Sequence, residues 1–196
     1  MAVSDITSYA ATDFDLTEGQ RAERKLLMTF VNAASFTNMT TYHSSPVWQL
    51  VGSGVEESSI EYNPTVNTVT DILGVTETTV DEFQMSRSLD LMTVKGGSKL
   101  HKKLVDIIER GAKSEFALFE VLIVRSHLKE SDGETTPTYA FHAELHKGCT
   151  VYPTSEGGSA YIDMPITINY SGDKELGVAT INDSTKVPTF TAFSVS

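Results

Sequence analysis

The chain has 196 residues, 40% of them hydrophobic, and a formal net charge of −11 from 15 Lys and Arg against 26 Asp and Glu. This length favours one globular domain with a full core, and the negative charge disfavours a general attraction to nucleic acid or an anionic membrane. The longest nearly apolar run, residues 116–124, is broken by Glu120 and is too short to span a bilayer as a helix, so we expect no membrane insertion. The single cysteine excludes an internal disulfide, and no secretory signal is visible, which together favour folding in the cytosol.

The first 46 residues are mostly polar and small, which is typical of an arm or a loosely packed lead-in. Within this arm, residues 20–31 could form a short helix. After Pro46 the sequence becomes rich in Val, Ile, Thr and aromatic residues punctuated by Gly and Asn-Pro, a pattern typical of strands. The predicted strands of this half are residues 47–53, 55–62, 65–73 and 81–94.

In the segment 81–91, polar and apolar residues alternate, which predicts a strand with one wet face. The polar positions are Glu82, Gln84, Ser86, Ser88 and Asp90. The apolar positions are Phe83, Met85, Leu89 and Leu91.

One segment has the periodicity of an amphipathic helix, predicted over residues 98–110 with Ser98 as the N-cap and Gly111 as the terminating residue. Its apolar stripe contains Leu100, Leu104, Val105, Ile107 and Ile108. The basic cluster 99–103 is assigned to the polar side, where it would meet an acidic neighbour rather than nucleic acid, since no aromatic residues are interleaved for stacking on bases.

The rest of the chain predicts a long β-hairpin followed by two or three more strands. A strand over 115–128, buried on both faces in its middle, is followed by a turn at 129–137 and a returning strand over 138–152. The predicted organisation is therefore a single domain over 1–196. It comprises the arm 1–46, a β-sandwich over 47–185 that includes the helix, and an extended tail over 186–196.

Tests for catalytic and nucleotide-binding motifs fail. Gly52 and Gly54 would begin a dinucleotide fingerprint, but Glu57 stands where the third glycine is needed. Neither a Walker ending nor a G-x-S-x-G sequence is present. Cys149 and His146 are separated by an odd number of positions, so on a regular strand they would face opposite ways and could not act as nucleophile and base. The sequence predicts no catalytic residues and no cofactor.

The pattern most like a metal site is His142, Glu144 and His146, which alternate along one strand and so project from one face. A zinc site needs a further ligand or an open position and second-shell partners, and the sequence shows none. We therefore interpret the three residues as the hydrated side of a strand and predict no metal site.

Several features, taken in order, point to a structural family. They are a "GSG…E.NP" turn (52–64), "DILG" (71–74), a helix after "GG" (96–97), a long hairpin, an "SGD…G" turn (171–177) and a terminal "PTFTAF" (188–193). In this order, from about Trp48 onward, the chain resembles the major tail tube proteins of long-tailed, siphovirus-like bacteriophages, especially those of phages and prophages of Gram-positive bacteria.

This resemblance implies a β-sandwich or partly open barrel with one flanking helix and long inter-subunit loops. Six subunits would form a ring, and rings would stack into a hollow tube that conducts double-stranded DNA in transit without binding it. The implied partners are copies of this chain, the tape measure protein, the tail terminator and the tail-tip or baseplate proteins, in a virion assembled in the host cytoplasm. The candidate lumen-facing residues are Glu82, Gln84, Ser86, Ser88, His142 and Glu144. An acidic lumen would give a polyanion few contacts that slow its passage.

Three other interpretations remain open at this point. One is the inner-tube protein of a contractile injection particle or phage-tail-like bacteriocin, and another is a head or joining protein of the same particle. From a different class, the chain could be a β-sandwich carbohydrate-binding or hydrolase module. A sugar platform would need several surface aromatic residues, whereas the chain has one tryptophan, Trp48.

Overall fold

A computed structural model describes residues 19–34, 46–52, 55, 58–90, 92–129, 140–181 and 187–193. This part of the chain is mainly β, with a curled, half-barrel sheet and one α-helix. The strands are β1 (Leu27–Asn32), β2 (Trp48–Val51), β3 (Pro64–Thr70), β4 (Thr76–Phe83), β5 (Ser86–Leu89), β6 (Phe119–Lys129), β7 (Ala140–Pro153), β8 (Ile166–Asn169), β9 (Lys174–Ile181) and β10 (Pro188–Ala192). The helix is α1 (Lys99–Arg110).

Eight of these strands form one antiparallel sheet. Its main path runs β10-β9-β7-β6-β1-β2, and β5 joins the sheet through β8. The long strand β7 exchanges partners along its length: its first part pairs with β6 and β9, and its last four residues pair with β8. The remaining strands, β3 and β4, form a separate two-stranded sheet.

The two faces of the sheet bury different hydrophobic clusters. Val121 of β6 belongs to the cluster beneath α1, whereas its neighbour Leu122 belongs to the cluster on the opposite face. Such a strand is apolar at successive positions because both of its faces are buried. The prediction of a doubly buried strand is confirmed, although a 3₁₀ turn at Lys113–Ala117 takes the first predicted positions and the strand begins at Phe119.

A bulge in the β6–β7 pairing overturns one inference from spacing. Val121 is opposite His146 and Phe119 is opposite Cys149, so β7 contains one extra residue between these pairs. Gly148 occupies this step with φ 70°, a conformation that glycine adopts without a side-chain penalty. The extra residue returns Cys149 to the face of His146, contrary to the odd-spacing argument. Burial raises the pKa of the Cys149 thiol to about 12, so the thiol is protonated at neutral pH.

The helix begins and ends where its sequence predicts. The Ser98 side chain accepts a hydrogen bond from the backbone N–H of His101 at 3.2 Å, and Gly111 ends the helix in the left-handed conformation. The apolar stripe differs from the prediction at two positions. Ile108 is 51% exposed, whereas Lys103, assigned to the polar side, is buried.

The buried Lys103 has specific partners in the structure. Its ammonium donates a hydrogen bond to the backbone oxygen of Asn32 at 3.1 Å and lies 4.3 Å from the centre of the Phe119 ring. Burial lowers the pKa of Lys103 to about 8. The long aliphatic stem lets the residue occupy an apolar stripe while its charge reaches a carbonyl at the sheet.

Other boundaries of the first half also change. The predicted helix at 20–31 is instead a 3₁₀ turn at Arg24–Leu26 followed by β1, because pairing with both β2 and β6 buries this segment. Residues 27–34 therefore belong to the core rather than to an arm. In the predicted strand 55–62, the described residues form only the isolated bridge of Glu61 with Ser86.

The chain ends differ from the prediction where they can be compared. Within the predicted tail, β10 pairs with β9 and so belongs to the sheet. Several predicted positions lie outside the described residues. They are arm residues 1–18 and 35–45, residues 130–137 of the predicted turn, the first two positions of the returning strand (138–139), Leu91, and tail residues 186 and 194–196.

The contact between β9 and β10 depends on Gly177. A Cβ at this position would lie 2.2 Å from the backbone oxygen of Thr191. We expect Gly177→Ala to lower the free energy of unfolding by about 1–3 kcal/mol, because β10 must shift. Urea denaturation measures the change. Gly172→Ala is the matched control, since nothing lies within 4 Å of its added Cβ. Equal loss of stability in both variants would contradict this account of the strand contact.

Candidate interaction surface

The strands β3 and β4 form an antiparallel hairpin with a bulge at Asp81, called here the acidic hairpin (residues 64–83). Val and Thr dominate it, and the hydroxyls of Thr70 and Thr76 lie 3.1 Å apart across the pair. The Asp71 carboxylate accepts hydrogen bonds from the backbone N–H groups of Leu73 (2.8 Å) and Val75 (2.9 Å), which fixes the turn. The sequence therefore specifies both the strands and the turn that joins them.

Every residue of the β3 and β4 strands is exposed. Ile72 and Leu73, at the tip, are 102% and 83% exposed. The exposed large apolar residues of the acidic hairpin are Val66, Val69, Ile72, Leu73, Val75, Val80 and Phe83. An isolated two-stranded hairpin is marginally stable in water, and large exposed apolar side chains concentrated on one such segment indicate an interaction site.

The base of the acidic hairpin interrupts the predicted strand 81–94. Asn63 has a positive φ of 42°, and its side-chain amide donates a hydrogen bond to the backbone oxygen of Gln84 at 2.9 Å. Gln84 and Met85 belong to neither β4 nor β5, so the predicted strand 81–94 is not continuous. Phe83 is 61% exposed while Leu89 is fully buried, although both were assigned to the apolar face.

The six candidate lumen positions are distributed over three parts of the fold. Glu82 lies on the acidic hairpin, Gln84 at its base, Ser86 and Ser88 on β5, and His142 and Glu144 on β7. Glu82, Gln84 and Ser88 are exposed, whereas the other three are half-buried. The structure therefore does not bring the six onto one continuous strand face, and their orientation toward a lumen stays a prediction.

The polar face of β7 is an internal ion-pair cluster rather than a hydrated surface. Arg125 Nη1 lies 3.1 Å from one oxygen of Glu144, and His146 Nε2 lies 3.5 Å from the other. The His146 side chain is 1% exposed, and its Nδ1 lies 3.1 Å from the Ser171 backbone oxygen. The interpretation of Glu144 and His146 as solvated residues is therefore wrong. The His146 ring and the Arg125 guanidinium lower the pKa of the Glu144 carboxyl to about 2.

A second feature, not predicted from the sequence, is a cavity of about 340 Å³ called here the basic pocket. Its lining residues are Arg24, Lys25, Leu27, Met28, Leu50, Val51, Gly52, Val55, Ser58 and Arg87. The signal for it was present in the alternation of 81–91, because Arg87 occupies an apolar position between Met85 and Leu89. A buried charge in such a position usually needs specific partners.

Other kinds of site are not supported by the described residues. No group of three or more His, Cys, Asp or Glu is placed there to hold a metal ion. No helix in the same residues is long and apolar enough to cross a membrane. Comparison with known proteins gives no match, either to a protein-family model or to a curated protein. The acidic hairpin and the basic pocket are therefore the features on which a function can be argued.

The Glu144 cluster predicts a defined acid sensitivity. A carboxyl whose pKa is lower in the folded state than in the unfolded state stabilises the fold at pH values above its ordinary pKa of 4.5. For Glu144 this contribution to the free energy of unfolding is lost as the pH falls from 4.5 toward about 2. We expect Glu144→Gln to remove on the order of 2 kcal/mol of stability at pH 7 and to flatten the loss between pH 4.5 and 2.

Urea denaturation at pH 7, 4 and 3 measures this difference. Glu175→Gln is the control, because Glu175 pairs with Lys147 near the surface, where ion pairs contribute little. An acid dependence of the Glu144→Gln variant as steep as that of the wild type would contradict the assignment.

Proposed function

We propose that this chain is a structural subunit that assembles with copies of itself into the tail tube of a long-tailed bacteriophage. The single observation that carries self-assembly is the acidic hairpin, whose apolar side chains are exposed along its whole length. The resemblance described above supplies the ring of six subunits and the stacking of rings. The mainly β, curled sheet with one helix is compatible with this class of protein.

The exposed apolar area of the acidic hairpin favours contact with a neighbouring subunit. Seven large apolar side chains of this segment are between 55% and 102% exposed. Covering them would contribute on the order of 10 kcal/mol before the entropic cost of association is subtracted. A second copy of the chain can supply this cover in every ring and so extend the assembly, because a head-to-tail contact repeats from one subunit to the next.

The charge of the chain suits passage of DNA through the proposed tube. The net charge is −11, and the candidate lumen residues include no Lys or Arg. Arg125, beside the candidate lumen residue Glu144, is already paired with that carboxylate. A wall whose cations are few and paired gives the DNA phosphates few contacts that hold them, since phosphate neutralisation supplies most non-specific affinity. In this proposal the subunit lies in the virion, with the tape measure, terminator and tail-tip or baseplate proteins at defined ends of the tube.

The sugar-binding alternative loses support from one residue. Trp48, the one tryptophan of the chain, is 7% exposed and packs in the cluster of Phe30 and Leu122. A platform for a sugar ring needs an accessible aromatic face. Trp48 therefore stabilises the core and is not available for this role.

The proposal predicts that assembly depends on the tip of the acidic hairpin. The wild type should form regular hollow tubes in negative-stain electron microscopy as concentration rises. At concentrations where the wild type assembles, we expect the Ile72→Ser/Leu73→Ser variant to keep the low sedimentation coefficient of the unassembled protein, because the tip loses its apolar contact. Serine suits a turn, so the hairpin itself should persist.

The matched control is Ile108→Ser, which removes a 51% exposed isoleucine from α1 and should leave assembly unchanged. Tubes formed equally well by the tip variant would show that the acidic hairpin is not the contact. A wild type that remains monomeric at every concentration, even with a tail-initiator protein added, would contradict the proposed function.

A further inference from the structure

We infer that the acidic hairpin of one subunit docks on the basic pocket of the next subunit. This inference rests on the proposed self-assembly and names the two surfaces that meet. The hairpin and the pocket belong to the same chain, so each subunit would give one contact and receive one. Such a heterologous contact closes into rings or continues as a stack.

The basic pocket is a built site with cations held at its wall. Arg87 is 7% exposed, and its guanidinium donates hydrogen bonds to the hydroxyls of Ser58 (2.9 Å) and Thr29 (2.5 Å). Arg24 donates to the backbone oxygen of Val55 at 2.8 Å. Lys25, at the same pocket, lies 2.9 Å from Glu23. These bonds fix the positions of the charged groups.

The charge of Arg87 is not neutralised within the described part of the chain. Its hydrogen-bond partners there are hydroxyl groups, and burial together with the nearby Arg24 lowers its pKa. The Tyr170 hydroxyl also interacts with it, but burial raises the pKa of Tyr170 to about 12, so this group is neutral at pH 7. A buried guanidinium with neutral partners favours an incoming anion, because a carboxylate would gain charge-assisted hydrogen bonds or a strong Coulombic contact.

The acidic hairpin matches this pocket in both charge and polarity. Its sequence contains four carboxylates and no Lys or Arg. The carboxylates are Asp71, Glu77, Asp81 and Glu82. The pocket combines its three cations with apolar side chains of β1 and β2, among them Leu27 and Leu50. The volume of about 340 Å³ admits a few side chains, which suits the exposed Ile72 and Leu73 of the tip.

A competing basic surface lies on α1. Lys99 and Lys102 are exposed there, but neither lines the basic pocket. A hairpin docked at these lysines would leave its apolar tip outside the pocket. This difference makes a charge reversal on α1 a control for a charge reversal at the pocket.

A charge-exchange experiment tests the docking. The pocket variant, Arg24→Glu/Lys25→Glu, brings an acidic hairpin against an acidic pocket. The hairpin variant, Glu77→Lys/Asp81→Lys/Glu82→Lys, leaves one carboxylate against three lysines in residues 64–83 and so brings a basic hairpin against a basic pocket. Each variant alone should need at least about tenfold more protein to assemble than the wild type, a shift that corresponds to about 1.4 kcal/mol. An equimolar mixture should assemble near the wild-type concentration, because each hairpin then meets a pocket of opposite charge.

Sedimentation velocity of the full-length proteins measures these concentrations, and circular dichroism with thermal denaturation verifies that each variant is folded. The control Lys99→Glu/Lys102→Glu carries the same change in net charge as the pocket variant and should assemble as the wild type does. Assembly that is weakened in each variant by itself and restored in the equimolar mixture would support the docking. Normal assembly of the folded pocket variant, or no recovery in the mixture, would overturn the docking while leaving self-assembly intact. A wild type that does not assemble would instead contradict the proposed function and the docking together.

Discussion

The backbone pairing of β6 with β7 holds both hydrophobic clusters of the protein in place. These are the longest strands in the described residues, and each is flanked by a further strand, β1 beside β6 and β9 beside β7. The side chains of the successive residues Val121 and Leu122 pack in different clusters, on opposite faces of the sheet. Beyond Cys149, where its pairing with β6 ends, β7 pairs with β8, which brings in β5. The β6–β7 pair therefore carries residues of both hydrophobic clusters and connects the two parts of the sheet.

The elements that are predictable from sequence are those whose signals are local. Ser98, Gly111 and the helical stripe define α1, and the continuous apolar run of β6 indicates burial on both faces. β1 was not predictable, because its strand form depends on pairing with β2 and β6, which are distant in sequence. The side of Cys149 was mispredicted for a related reason: period-two reasoning assumes a regular strand, and a bulge inverts it.

The interaction surface was predictable in composition but not in geometry. The alternation around Glu82 and Ser88 identifies a polar face, yet a break at Gln84 and Met85 separates the acidic hairpin from β5. The same alternation places Arg87 among the apolar positions. A charged residue at an apolar position was the sequence signal for the basic pocket. The residues that complete the pocket come from β1 and β2, so only the folded sheet brings them together. The acidic hairpin is exposed on its own chain. In the proposed assembly it contacts the basic pocket, which has the opposite charge, on another copy.

The central claim is that the acidic hairpin is covered by a second copy of the chain. Hydrogen–deuterium exchange measured below and above the assembly concentration tests this claim at the level of backbone amides. The account predicts that amides of residues 64–83 exchange rapidly in the dilute protein and become protected on assembly, while those of β6 and β7 stay protected throughout. Assembly that leaves exchange in residues 64–83 unchanged would contradict it.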